Sequence, residues 1–157
     1  MLFLIFRLGP DRYALDANEI VEVLPRVALK ALPSTPAWVA GVFDYRGQMV
    51  PVIDLAALAL GRPATDHMST RTILITYPAD EGSGMARPHV LGVIAEHANR
   101  TLRRDAADFH PSGIDTPDAP YLGPIATDAD GLLQWIHVPG LLPPDVRASL
   151  FAAELTP

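Results

Sequence analysis

Apolar residues in this chain come in short runs of strand length, separated by glycine, proline and polar turns. Residues 3–8, FLIFRL, and residues 13–15, YAL, flank Gly9-Pro10-Asp11, a hairpin-like turn. Residues 19–24 make a third run, rich in β-branched side chains. Pro36 opens a stretch, residues 36–40, that reads as one helical turn with proline at its first position. Two more strands, residues 41–46 and 48–53, hinge at Gly47. Asp54 then starts a short helix over residues 55–60, closed by Gly61 and Pro63.

After a polar loop the pattern recurs more loosely. Residues 71–77 and 89–95 read as strands on either side of a glycine-containing loop, residues 78–88. Residues 121–126 and 132–138 follow, split by the acidic turn Asp128-Ala129-Asp130-Gly131. Pro143 and Pro144 lead into a final amphipathic helix over about residues 145–155, with Val146, Leu150 and Ala153 on one face. Many short strands with regular turn signals predict small β-barrels.

Composition narrows the class. Of 157 residues, 49% are hydrophobic and 19% charged, enough apolar material for one domain or for two small subdomains on a common core. The 16 prolines are spread between the apolar runs, so they mark turns and strand ends, not a linker. No apolar stretch approaches the roughly 20 residues of a membrane-spanning helix. The first run has no basic leader and no small-residue cleavage site, and it contains Arg7, so it reads as a core strand and not a signal peptide. The absence of cysteine excludes a disulfide framework and thiolate chemistry, as suits the cytoplasm. A net charge of -6, with Lys30 the only lysine, argues against a non-specific nucleic-acid surface.

Catalytic chemistry finds no foothold in the residue pattern. The histidines, His67, His89, His97, His110 and His137, are scattered without zinc-site spacing, so structural or surface roles are expected and no metal. Asp11, Asp16, Asp54 and Asp128 stand in turns or at helix starts, where carboxylates satisfy backbone N–H groups. No G-x-S-x-G elbow is present, and Gly82-Ser83-Gly84 lacks the Lys-Ser/Thr ending of a phosphate loop. No cofactor is expected. A small β-barrel hydrolase, such as an esterase, remains the alternative of a different class, and it would need a nucleophile and base that the pattern does not offer.

The informative stretch is residues 36–55, PAWVAGVFDYRGQMVPVIDL. Arg46-Gly47 forms a tight turn between two apolar strands and thrusts a cationic side chain outward from a rigid base; turn chemistry alone would make it an ordinary solvated arginine. The stretch resembles the signature of the CheW-like family: an apolar strand, an Asn-Leu-Arg-Gly turn, then Val-Pro-Val-Ile-Asp-Leu. Other matches follow in order. Residues 3–9 with Tyr13-Ala14-Leu15 resemble the family's first hairpin, and Ile20-Val21-Glu22-Val23 its I-x-E-V strand. Leu32-Pro33 with Pro36, Leu91-Gly92-Val93-Ile94 and Tyr121-Leu122-Gly123 resemble later motifs.

The resemblance implies an all-β fold: two SH3-like five-stranded β-barrel subdomains sharing a core, with short helices, the whole of residues 1–157 forming one domain. It also implies a non-catalytic scaffold that couples the cytoplasmic tip of methyl-accepting chemoreceptors to the regulatory domain of a CheA-type histidine kinase. Such a protein works in the cytoplasm, recruited to membrane-associated receptor arrays, with no membrane insertion and no nucleic acid. By motif position the receptor-binding residues are Arg46, Glu22, Ile20 and Ile73, in a groove between the subdomains. Glu22 could instead hold Arg46 in place, and Ile20 could be core. Asp44 and Tyr45 stand where the family more often has Asn and Leu, and Asp44 could partly neutralise Arg46 or fix its rotamer. That departure leaves room for an adaptor of a non-flagellar chemosensory pathway serving surface sensing, pili or second-messenger output.

Overall fold

The computed structural model describes residues 1–79 and 87–152. Most of the loop 78–88 and the expected helical position of Ala153 lie outside the described residues. Among the described residues there are nine strands and two short α-helices: β1 Leu2–Leu8, β2 Asp11–Asp16, β3 Ile20–Pro25, β4 Val39–Tyr45, β5 Gln48–Asp54, α1 Leu55–Leu60, β6 Arg71–Tyr77, β7 His89–Arg103, β8 Leu122–Asp128, β9 Gly131–Ile136 and α2 Pro144–Leu150.

Strand β7 explains how nine strands make two five-membered lobes. Its first half pairs with β6 and, in parallel, with β5, giving the order β3-β6-β7-β5-β4. Its second half pairs with β1, giving β7-β1-β2-β9-β8. The switch falls at a bulge: the register against β1 shifts between Ile5 and Arg7, and His97 adopts a left-handed φ of 52°. A bulge turns the strand so that one element can serve both lobes. The backbone ladder closes neither lobe, and β3 and β4 remain edges of the first.

The continuous apolar run of β1 follows from its position between two cores. Leu4, Phe6 and Leu8 face the main core, with Val52, Ile53, Ile73, Ile75, Leu91 and Val93 of the other lobe. Phe3 and Ile5 face a smaller cluster with Ala14, Phe109, Ala126 and Leu133. Alternating side chains therefore find apolar surroundings on both faces.

Three segments differ from the sequence expectation by more than small shifts at strand ends. Residues 36–40 make only one hydrogen-bonded turn, Val39 N–H to Pro36 O at 3.0 Å, before β4 begins at Val39. Strand β7 runs eight residues beyond Ala95 because its polar second half, EHANRTLR, is held by the ladder to β1 and not by an apolar pattern of its own. Helix α2 spans Pro144–Leu150 within the described residues, with Val146 and Leu150 on the core. Helix α1 matches its predicted bounds: the Asp54 carboxylate accepts the N–H groups of Ala56 and Ala57, and Gly61 closes the helix at φ 72°. Gly123 has a packing reason, since a Cβ there would lie 2.5 Å from the carbonyl oxygen of Trp135.

Candidate functional site

The turn joining β4 and β5 has Arg46 and Gly47 as its two central residues, with φ of 52° and 86°. Both values are left-handed, as in the type I′ turns whose twist matches a β-hairpin. Glycine takes this conformation freely, whereas arginine must be held in it. The Asp44 carboxylate contributes by accepting the Gly47 N–H at 2.7 Å. Asp44 thus serves as an acceptor for the turn backbone, a role open to asparagine as well.

The cation of Arg46 meets a different carboxylate. Its Nη2 lies 3.5 Å from Oε2 of Glu22 on the edge strand β3, while 76% of the Arg46 side chain stays exposed. The Tyr45 hydroxyl donates to the same Oε2, and the Arg46 guanidinium carbon sits 5.1 Å from the Tyr45 ring centroid. The bond to Glu22 raises the pKa of the Tyr45 phenol, helped by desolvation and the Glu22 charge and opposed by Arg46. An exposed ion pair of this kind contributes at most ~1 kcal/mol to stability. Its effect is to orient a mostly hydrated guanidinium whose remaining donors face solvent.

Of the residues expected at the site, the structure joins Arg46 and Glu22 directly. Ile20 lies on the same strand as Glu22, half-buried and packed on the main core. Ile73 is placed differently. It is 0% exposed on β6, which lies between β3 and β7, and its register partners are Val23 and Val93. With neighbours on both edges and the core against it, its side chain supports β3 from behind and reaches no surface. Reasoning from sequence missed Val21 and Val23, exposed by 47% and 41% on β3, and Met49, exposed by 59% opposite Asp44. In I-V-E-V-L-P every residue but Glu22 is apolar, so alternation does not reveal which side is outside. It also missed the Tyr45–Glu22 contact, a pairing across 23 residues that only the fold creates.

Elsewhere, the structure brings two scattered histidines together. Ser69 Oγ lies 2.9 Å from Nδ1 of His67 and 3.4 Å from Nδ1 of His97. The Ala98 N–H donates to the Ser69 carbonyl at 2.9 Å, so this cluster ties the turn before β6 to the bulge in β7. Among the described residues, no three His, Cys, Asp or Glu side chains are grouped to hold a metal ion, and no helix is long and apolar enough to cross a membrane.

The profile of the CheW-like domain matches residues 2–145, which contain the whole β3–β4–β5 arrangement. The chain belongs to the CheW-like domain family. This family of non-catalytic scaffold proteins also supplies the structural likeness: the crystal structure of the scaffolding protein TtCheW from Thermoanaerobacter tengcongensis superposes with a TM-score of 0.76, covering 90% of this chain and 87% of that one at 23% identity. That match establishes an all-β fold of two SH3-like subdomains for this CheW-like chain. Protein FrzA of Myxococcus xanthus is 30% identical over 109 residues, 69% of this chain and 62% of that protein. Protein PilI of Pseudomonas aeruginosa is 30% identical over 88 residues, 56% of this chain and 49% of that protein. The chain thus aligns with about half to three-fifths of the length of these two relatives.

Proposed function

We propose that this CheW-like chain couples the cytoplasmic tip of methyl-accepting chemoreceptors to the regulatory domain of a CheA-type histidine kinase. It acts as one domain in the cytoplasm, at membrane-associated receptor arrays. The observation that carries this reading is the Arg46 side chain, 76% exposed at the apex of a rigid turn, with its guanidinium oriented by Glu22 on an edge strand. A planar cation fixed in this way is suited to bind a carboxylate bidentately, and Val21 and Val23 add exposed apolar area on the same edge strand as Glu22. A helical hairpin bearing an acidic residue on an apolar face is the complementary partner. Within this reading the contact residues are Arg46, Glu22 and Ile20, with Ile73 as internal support.

The Asp44-Tyr45 pair supports a narrower variant, an adaptor of a pathway with an output other than flagellar motion. The Tyr45 hydroxyl takes up one lone pair of the Glu22 carboxylate that a leucine would leave open. Fewer acceptor sites on Glu22 would favour a different set of receptor tips. Affinity measurements of the chain with each receptor tip and each kinase regulatory domain of the same genome test both readings. Binding to neither class of partner would overturn them.

A further inference from the structure

A second recess lies where the two lobes meet, apart from the Arg46 turn. It encloses about 270 Å³ and is lined by Glu19, just before β3, together with Pro124, Trp135, His137 and Pro139 of the second lobe. That volume is below the roughly 300–1,000 Å³ of a metabolite site and suits one long side chain.

The charge balance inside the recess is incomplete. Three glutamates fall among the described residues. Glu22 is paired with Tyr45 and Arg46, and Glu96 with Arg62 and Thr65. Glu19 has no ion pair and no side-chain hydrogen bond among the described residues, although it is half-buried. Its neighbour Asp16 gives no relief, because it is a second carboxylate, which accepts the Asn18 N–H at 2.9 Å. Burial, and then the charge of Asp16, raise the Glu19 pKa. A desolvated carboxylate without a partner is an unfavourable arrangement that an incoming cation would reverse.

Trp135 lines the same recess. Trp135 is braced edge-on against Phe3 and Phe109, with ring centroids 5.0 and 5.2 Å away, so it keeps one orientation whether or not the recess is filled. A planar guanidinium can stack on an indole while binding a carboxylate through its N–H fork. We propose that this recess receives an arginine side chain of a protein partner, held between Glu19 and Trp135. It is a second anchor, opposite in charge preference to Arg46. It rests on the adaptor reading only in taking the arginine to come from a protein.

NMR of the full chain tests the recess by itself, with N-acetyl-arginine methylamide as the probe. The expected result is a saturable shift of the Trp135 indole N–H, assigned with Trp135→Phe, while the Trp38 indole stays still. The uncharged citrulline analogue should bind about tenfold more weakly, as should the arginine probe to Glu19→Gln. Arg46→Glu should leave probe binding unchanged even where it abolishes receptor-tip binding, which separates failure of the recess from failure of the adaptor reading. Equal binding of the citrulline analogue to the unmodified chain would overturn the proposal without reliance on any variant. No saturable shift, or full binding by Glu19→Gln, would overturn it as well.

Discussion

Oε2 of Glu22 accepts the Tyr45 hydroxyl and lies 3.5 Å from Nη2 of Arg46, so one oxygen on β3 receives both residues that lead into the β4–β5 turn. The consequence is mechanical as well as electrostatic. Two edge strands that share no backbone ladder are joined at this point by side chains, and the turn cannot swing away without breaking both contacts.

This junction sets the ionisation of Tyr45. Its phenol should titrate above the ordinary value of 10.0, chiefly because the hydrogen bond to Glu22 favours the protonated form. The linkage follows in sign: the stabilisation is complete below the unfolded-state pKa and is lost as pH rises through the folded-state value. Ultraviolet titration, differenced against Tyr45→Phe to remove the other three tyrosines, should show the late transition. In Glu22→Gln it should move back toward the ordinary value; no movement would mean that the bond does not persist in solution.

Acid should weaken the fold through Glu96. This residue is 4% exposed, and its carboxyl pKa falls from 4.5 to about 2. Arg62 is the largest cause, binding it with N···O distances of 3.0 and 3.1 Å, and the Thr65 N–H and hydroxyl add two bonds at 2.7 Å. A depressed folded-state pKa contributes stability above the unfolded-state value that disappears as pH falls toward 2. With allowance for the partly exposed Arg62, the contribution is about 2 kcal/mol. Urea unfolding of the native chain should therefore show a decline between pH 4.5 and 2 that is flattened in Glu96→Gln.

Asp54 should prove as important as any core residue. It is 5% exposed; Oδ1 accepts Ala56 N–H at 3.0 Å and Ala57 N–H at 3.2 Å, while Oδ2 accepts Ala64 N–H at 2.9 Å. One carboxylate thus starts α1 and fastens the loop beyond it. Asp54→Ala should cost about 2–3 kcal/mol by leaving buried donors unsatisfied. Asp54→Asn should not restore full stability, because its amide would place N–H against the Ala64 N–H in the same cap geometry. Equal midpoints for Asp54→Asn and the native chain in denaturant would refute this account.

What could be read in advance follows the range of the interactions. Helix α1 was legible because Asp54 and Gly61 act on adjacent backbone, and the Arg46-Gly47 turn because two residues suffice to specify it. The second half of β7 was not legible: Glu96, Asn99 and Arg100 look like loop residues until β1 supplies the hydrogen bonds. The burial of Ile73 was hidden for a similar reason. Motif position assigns it to a strand near the site, whereas only the sheet order β3-β6-β7 shows that strand enclosed on both edges. The Glu22 junction depends on Tyr45, where the family more often has leucine, and no local pattern connects the two.

Arg46 allows the binding role to be separated from the folding role. Its φ of 52° costs an L-residue with a Cβ about 1 kcal/mol, and asparagine tolerates that conformation better. Arg46→Asn should therefore raise stability by up to ~1 kcal/mol, less whatever the exposed pair with Glu22 contributes. Arg46→Glu should lower it slightly, because a second carboxylate would face Glu22. Both variants should weaken receptor-tip binding by ~2 kcal/mol or more, roughly thirtyfold, as expected for loss of an interface anchor. Binding to the kinase regulatory domain should persist in both. A residue retained for the turn would give the opposite result, with Arg46→Asn binding receptor tips normally. Calorimetric affinities and denaturant midpoints on the same two variants decide between them. A more stable protein that no longer binds receptor tips would mean that the backbone strain at Arg46 is kept for recognition.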